Sequence, residues 1–210
     1  LYEVLGFANN TALESKANLP GTYSVSGNER FTSLLIEYAG FKNVNTFGVY
    51  TKIGSTISTL EVYPGVANGN PLISKQLVFD TVGMTIGLAG SSTTIPLNST
   101  GIYGFYMRNG DGVTFYTDKT LNPDAKDHAV SVGVLDTKYG KAPYTLGNTG
   151  FILGWEDKKI GGGADRDYQD LVVSVTSLPI PEPTTVIAGA LLLLPFGVST
   201  LRVIRNNRKA

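Results

Sequence analysis

Two kinds of side chain are scarce in this 210-residue sequence, which contains no cysteine and a single histidine, His128. Without cysteine the chain has no disulfides, thiolate metal sites or cysteine nucleophiles. A Ser–His–Asp triad would have to use His128, and no Gly-x-Ser-x-Gly motif supplies its serine. Glycine motifs that bind nucleotide phosphates are also missing. We therefore expect a protein that is not an enzyme.

Charged residues are few as well, and they are unevenly distributed. They make up 16% of the sequence, with 17 basic and 17 acidic residues. Because four of the basic residues lie in the last nine positions, residues 1–180 carry 13 basic against 16 acidic residues. This body has no basic patch and no basic run interleaved with aromatics, so no nucleic-acid partner is expected.

Most of the chain has the pattern of short β-strands. From Asn45 onward, short segments rich in β-branched and aromatic residues alternate with turn sequences. Eight segments are predicted strands: TFGVYTK, STLEVYPG, SKQLVFD, GIYGFYMR, VTFYTD, HAVSVGVLD, FILGWED and DLVVSV. Their number and spacing predict an all-β domain over residues 1–178, an antiparallel β-sandwich that is jelly-roll-like.

One short helix is predicted before these strands. Ser26 and Glu29 have the spacing of a capping box, and Gly40 is suited to end a helix. The apolar residues between them have helical spacing: Phe31, Leu34, Leu35 and Tyr38. We expect a helix of about ten residues that packs on the sheet.

The C-terminal part of the chain differs from the body. Residues 179–185 include three prolines in five positions, which predicts a stiff, extended linker. Residues 186–201 are uncharged and mostly apolar, and a basic tail follows. We expect residues 186–210 to be a transmembrane helix with a cytoplasmic tail, so that the body is exported. The alternative is a buried helix of a soluble domain, which four successive leucines without a polar face argue against.

Acidic residues crowd around three glycines in GWEDKKIGGGADRDYQDLVV, residues 154–173. Two carboxylates about 4 Å apart repel by roughly 4 kcal/mol at an effective dielectric near 20. Either the loop exposes them to water, screened by Lys158, Lys159 and Arg166, or they bind a cation. Hard oxygen ligands in a flexible shell are what Ca²⁺ takes. Strand alternation would point Glu156 and Asp157 to opposite faces, so only one of them is expected to be a ligand.

A second polar group surrounds His128. A lone histidine is more typical of a structural hydrogen-bonding residue than of a metal ligand. Asp127 begins a predicted strand that could pair beside the acidic loop, and it is therefore a candidate ligand. The complete set of candidate Ca²⁺ ligands is Glu156, Asp157, Asp165, Asp167, Asp170 and Asp127.

The C-terminal features resemble a known sorting signal. Pro181, Glu182 and Pro183, the apolar span and the basic end are similar to the PEP-CTERM signal of Gram-negative bacteria. That resemblance implies an exosortase-type sorting enzyme, a membrane protease-transpeptidase, as partner. It also implies a cell-surface or extracellular-matrix location, with at least transient anchoring of the C-terminal helix in the inner membrane.

The body resembles a β-rich domain of unknown function that recurs in such surface proteins and in large calcium-dependent adhesins. The matching motifs are Pro123 with Asp127-His128, Gly154 to Asp157, the glycines at 161–163, and Asp165 to Val172. The resemblance implies calcium in the acidic loop.

Together these features lead us to expect a structural protein of adhesion, envelope or biofilm architecture, or one that self-assembles into filaments. The alternative is a module that binds extracellular polysaccharide. Exposed aromatics such as Tyr103, Tyr106 or Tyr116 lining a groove would favour that alternative.

Overall fold

The structure is a computed structural model that describes residues 5, 8, 12–13, 22–24, 45–65, 75–133, 150–160, 164 and 166–175, and the backbone of residues 31–37 and 176–179. The chain divides into two compact units, Leu1–Leu178 and Pro179–Ala210. The predicted sorting motif Pro181-Glu182-Pro183 and the predicted span at 186–210 lie outside the described residues. Within the described part of the chain, no helix is long and apolar enough to cross a membrane.

Strands dominate the described residues, which form 12 strands and one short 3-10 helix at Lys119–Leu121. The strands are β1 (Tyr23–Ser24), β2 (Phe31–Glu37), β3 (Thr46–Ile53), β4 (Thr56–Tyr63), β5 (Lys75–Asp80), β6 (Thr85–Leu88), β7 (Thr94–Pro96), β8 (Ile102–Arg108), β9 (Thr114–Tyr116), β10 (Ala129–Gly133), β11 (Phe151–Trp155) and β12 (Leu171–Pro179). Each pairing whose register is described is antiparallel. The all-β prediction is confirmed.

The strands form two sheets that share one core. A five-stranded sheet has the order β1-β8-β3-β4, with β9 paired to β8, and a seven-stranded sheet has the order β10-β11-β12-β2-β5-β6-β7. Apolar side chains from both sheets belong to a single buried cluster. Phe47 of β3, for example, meets the edge of Trp155 of β11 at 6.3 Å between ring centroids. This is a sandwich, but its division into five and seven strands differs from the eight strands of a jelly roll.

A smaller apolar cluster covers the other face of the seven-stranded sheet near β10. Val130 and Val132, which lie on the same face of β10, pack there with Val172 of β12. Leu5 and Leu13 near the N-terminus complete the cluster together with Tyr168. Because Tyr168 precedes β12 and is buried, it ties the end of the acidic loop to this sheet.

All eight predicted strands are present, as β3, β4, β5, β8, β9, β10, β11 and β12. The predicted helix is wrong, because Phe31–Glu37 is strand β2. It lies between β12 and β5 in the seven-stranded sheet, and Thr32 to Leu35 pair with residues of β5. A short apolar run fits the periodicity of either a helix or a strand. Here the segment forms inter-strand hydrogen bonds with β5 although its apolar residues also have helical spacing. Ser26, Glu29, Tyr38 and Gly40 lie outside the described residues.

Tyrosines cover glycines across the pairing of β3 with β8. Gly48 lies opposite Tyr106, and Gly104 lies opposite Tyr50. Each ring rests on the facing glycine, where an added Cβ would meet ring atoms at 2.5 Å and 2.4 Å, respectively. Both tyrosines are buried. Such pairs fill the space above a glycine in a strand and fix the register.

The aromatics that were candidates for a polysaccharide groove pack into the protein. Tyr103 contacts the rings of Tyr23, Phe79 and Phe105. Burial raises the pKa of Tyr103 to about 12. Tyr106 is buried, and Tyr116 is half-buried with its ring edge against Tyr50. These three tyrosines therefore do not form an exposed aromatic platform.

Candidate metal centre

The ends of two neighbouring strands place the carboxylates of the acidic loop. Trp155 and Leu171 are the final pair of β11 with β12, so Glu156 and Asp157 directly follow β11 and Asp170 directly precedes β12. The amide of Asp170 donates to Trp155 O at 3.1 Å, which extends the pairing by one step. The antiparallel register therefore brings these acids to one edge of the sheet although up to 14 positions separate them.

Three carboxylates converge at this edge. Each of these acids, Glu156, Asp157 and Asp170, contributes one carboxylate oxygen, and the three oxygens lie within 4.8 Å of one another. Glu156 is only 1% exposed, whereas both aspartates are partly buried. Because β11 ends at Trp155, strand alternation does not continue into the loop. This explains why Glu156 and Asp157 reach the same cluster although they were expected to point apart.

Backbone amides of the loop hold these carboxylates in place. The amide of Asp157 donates to Asp170 Oδ2 at 2.9 Å, and that of Arg166 donates to Glu156 Oε2 at 2.9 Å. Arg166 has a positive φ of 58°, a conformation that costs a residue with a Cβ about 1–2 kcal/mol. The loop therefore carries local strain at the residue whose amide reaches Glu156, a pattern typical of functional loops.

The electrostatics of the cluster are unfavourable to negative charge. Burial raises the pKa of Asp170 above its ordinary value, and the nearby charges of Asp157 and Asp167 add to the rise. Hydrogen bonds from the Asp157 amide and with Glu156 oppose the shift without cancelling it. A cation at this point would reverse the effect, because an opposite charge favours ionised carboxylates.

Two asparagines from the five-stranded sheet reach the same place. Asn45, immediately before β3, donates from Nδ2 to Asp157 Oδ2 at 3.2 Å. Asn109, immediately after β8, donates from Nδ2 to Asp157 O at 2.9 Å and accepts from the Val113 amide at 2.9 Å. The carboxylate cluster therefore lies where the two sheets meet.

The other candidate ligands have different surroundings. Asp127 is outside the three-carboxylate group and forms an ion pair with Lys119 at 3.6 Å. Asp167 is also outside it and accepts hydrogen bonds from the backbone and side-chain amides of Gln169. Asp165 lies outside the described residues.

His128 is a buried hydrogen-bonding residue beside the cluster. Its ring stacks on Phe115 with centroids 3.9 Å apart, and Nε2 lies 3.0 Å from Asp124 Oδ2. Its Nδ1 lies 3.2 Å from Glu156 O, and its own carbonyl accepts from the Glu156 amide at 2.9 Å. Asp124 Oδ2 also accepts from the Ile160 amide at 3.1 Å, so this pair anchors the start of the acidic loop.

Residues 83–177 match the family model of DUF4114, a domain of unknown function. The match confirms the resemblance of the body to a β-rich domain of unknown function. No curated protein and no solved structure matches the chain. The three carboxylates, Asn109 and His128 lie within the DUF4114 region, whereas Asn45 and strands β1 to β5 precede it.

Sequence reasoning missed both asparagines. Asn45 stands 112 positions before Asp157 and outside the DUF4114 region. Asn109 belongs to the turn sequence Asn109 to Gly112, which predicts a turn and nothing about a site. Neither has a local signal, since their relation to the acidic loop exists only once the two sheets pack.

Proposed function

We propose that this chain is a calcium-stabilised β-sandwich module of an exported cell-surface or extracellular-matrix protein. Its role is structural, in adhesion, in envelope or biofilm architecture, or in self-assembly. The observation that carries the proposal is the convergence of Glu156, Asp157 and Asp170 at the ends of β11 and β12. A divalent ion there would fasten the acidic loop to the sheet.

The donor set fits Ca²⁺. All three groups are carboxylates, and Ca²⁺ binds six to eight oxygens from carboxylates, carbonyls and water. The three oxygens all lie within 4.8 Å of one another, and twice a Ca–O distance of about 2.4 Å is the limit for two oxygens on one ion. Mg²⁺ fits less well, because it requires a tighter octahedron and gives up its water reluctantly.

Isothermal titration of the EDTA-treated full chain with calcium chloride tests the metal site. Glu156→Gln removes one charge from the cluster and should weaken binding at least about tenfold, since it alters a ligand directly. Glu61→Gln, the same change at an exposed residue of β4, is the matched control and should bind like the original chain. The metal site is refuted if the original chain binds no calcium, or if both variants bind equally well.

The surface location rests on the C-terminal sequence. Pro181-Glu182-Pro183, the apolar span and the basic tail are the parts that an exosortase-type enzyme would read before release or transfer of the protein. Intact mass spectrometry of surface and culture fractions from the native host tests this. Cleavage near the motif with the body outside the cell supports sorting, whereas uncleaved chain in the cytoplasm contradicts it.

Polysaccharide binding is the alternative role, and a glycan array distinguishes it from the structural role. Tyr103, Tyr106 and Tyr116 pack into the protein, so those three residues lend the alternative no support. We expect no glycan to be retained and expect calcium-dependent polymerisation to be seen by light scattering. Retention of a glycan by the monomer would favour the alternative.

A further inference from the structure

We propose that the side-chain oxygen of Asn45 is a further ligand of the cation, so that one ion joins both sheets of the sandwich. This inference rests on the proposed calcium site at Glu156, Asp157 and Asp170 and specifies how that site is completed. It adds a ligand from outside the DUF4114 region, contributed by the segment that leads into β3.

Asn45 is fully buried, and only one of the two polar atoms of its side-chain amide has a hydrogen-bond partner among the described residues. Its side chain is 0% exposed, and Nδ2 donates to Asp157 Oδ2. Its Oδ1 is buried and makes no hydrogen bond with any part of the chain that the structure describes. Buried amide oxygens in proteins nearly always have a partner, so an orphan on the amide group that contacts the Asp157 carboxylate indicates a missing electrophile. A cation would satisfy this oxygen and also neutralise the crowded carboxylates.

The distances suit a shared ion. Two oxygens at neighbouring positions around one Ca²⁺ lie about 3–3.5 Å apart, given Ca–O distances of about 2.3–2.6 Å. The side-chain nitrogen of Asn45, Nδ2, lies 3.2 Å from Asp157 Oδ2. Half a turn of the amide about its terminal bond exchanges nitrogen and oxygen. A cation about 2.4 Å from each oxygen would then bind Asn45 Oδ1 and Asp157 Oδ2 together, to one side of the line that the hydrogen bond follows in its absence.

Asn45 and the three carboxylates belong to different sheets, so an ion that they share would connect the two sheets. Asn45 precedes β3 in the five-stranded sheet, whereas the carboxylates flank β11 and β12 in the seven-stranded sheet. Phe47, two residues further on, packs against Trp155 at the same end of the sandwich. An ion held by both sides would link the two layers at this edge, whereas carboxylates alone would link only neighbouring strands of one sheet.

Binding of Ca²⁺ and of Eu³⁺, a luminescent substitute for Ca²⁺, by the full chain tests the inference. Asn45→Ala removes the oxygen and leaves room for water. We expect calcium affinity to fall at least about tenfold and the number of waters on bound Eu³⁺, measured from lifetimes in H₂O and D₂O, to rise by about one. Asn45→Asp keeps an oxygen, so it should retain at least the original affinity and the original water count.

Asn122→Ala is the matched control, because Asn122 is also a buried asparagine but both of its polar side-chain atoms form hydrogen bonds with Tyr116 and Lys126, away from the three carboxylates. It should lower stability with and without calcium while leaving affinity and water count unchanged. If Asn45→Ala keeps the original affinity and water count, the Asn45 inference is overturned and the calcium site remains. If the original chain binds neither ion, the proposed function fails as well. Should Asn45→Ala not fold, weaker binding by Asn45→Asp overturns the inference.

Discussion

The backbone amide of Asp157 donates a hydrogen bond of 2.9 Å to the carboxylate of Asp170, 13 positions further along the chain. This bond closes the acidic loop at the ends of β11 and β12. It also sets the two carboxylates side by side, so the contact that orders the loop creates a repulsion that adds to the effect of burial in raising the pKa of Asp170. The antiparallel register is therefore the origin of both the geometry and the electrostatics of the site.

Asp170→Asn should change the response of the protein to calcium. Asparagine can still accept the hydrogen bond from Asp157 but removes one of the crowded charges, so the metal-free protein should become more stable. The original chain should gain ~2.7 kcal/mol at a calcium concentration 100 times the dissociation constant, and the variant much less. Urea unfolding in EDTA and in calcium measures both effects.

Asp127→Asn is the control for that experiment. Asp127 pairs with Lys119 outside the three-carboxylate group, so its loss should leave the calcium-induced stabilisation intact. If calcium stabilised Asp170→Asn fully but no longer stabilised Asp127→Asn, the ligand assignment would have to move to the loop that leads into β10.

The pair of Asp124 with His128 should make stability depend on acid pH. Burial alone would raise the pKa of Asp124, but hydrogen bonds with His128 and from the amides of Lys126 and Ile160 outweigh it and leave the pKa below its ordinary value. A carboxyl with a lowered folded pKa contributes stability above its unfolded pKa and loses it as the pH falls through the folded value.

Asp124→Asn should therefore cost about 1–2 kcal/mol at pH 6, and the difference from the original chain should shrink below about pH 4. Urea unfolding in EDTA between pH 3 and pH 6 measures it. A difference that stays constant over this range would show that the charge of Asp124 contributes nothing.

The two covered glycines should differ in their tolerance of a methyl group. A Cβ at Gly48 would lie 2.3 Å from the backbone oxygen of Leu60 as well as against Tyr106, whereas the three atoms nearest to one at Gly104 all belong to the side chain of Tyr50. A side chain can move aside more easily than a strand backbone. Gly48→Ala should therefore cost about 3 kcal/mol or more and Gly104→Ala about 1–3 kcal/mol by thermal unfolding. Equal costs would contradict this account.

Period-two patterns predicted eight strands because β-branched and aromatic residues alternate in them over five or more positions. Strands β6 and β7 escaped prediction since TIGL and TIP are too short to establish a period. The error at Phe31–Glu37 has a different cause. Its apolar residues satisfy helical spacing, and pairing with β5, whose residues are 40 to 46 positions further along the chain, decides between the two periods.

The site was predictable in part for a similar reason. Glu156, Asp157 and Asp170 lie at the ends of two predicted strands, FILGWED and DLVVSV, so a local hairpin-like register is enough to bring these ends together. Asn45 and Asn109 carry no such signal, because their contacts with Asp157 depend on how one sheet packs on the other. The positive φ at Arg166 could not be predicted from the sequence either, since arginine does not favour that conformation.

A crystal structure of the full chain grown with calcium, with anomalous data collected at a long wavelength, tests the central claim most directly. We expect an anomalous peak among Glu156, Asp157 and Asp170, about 2.3–2.6 Å from their oxygens. Ordered water alone among these carboxylates, or a calcium peak elsewhere with this site bare, would contradict the account.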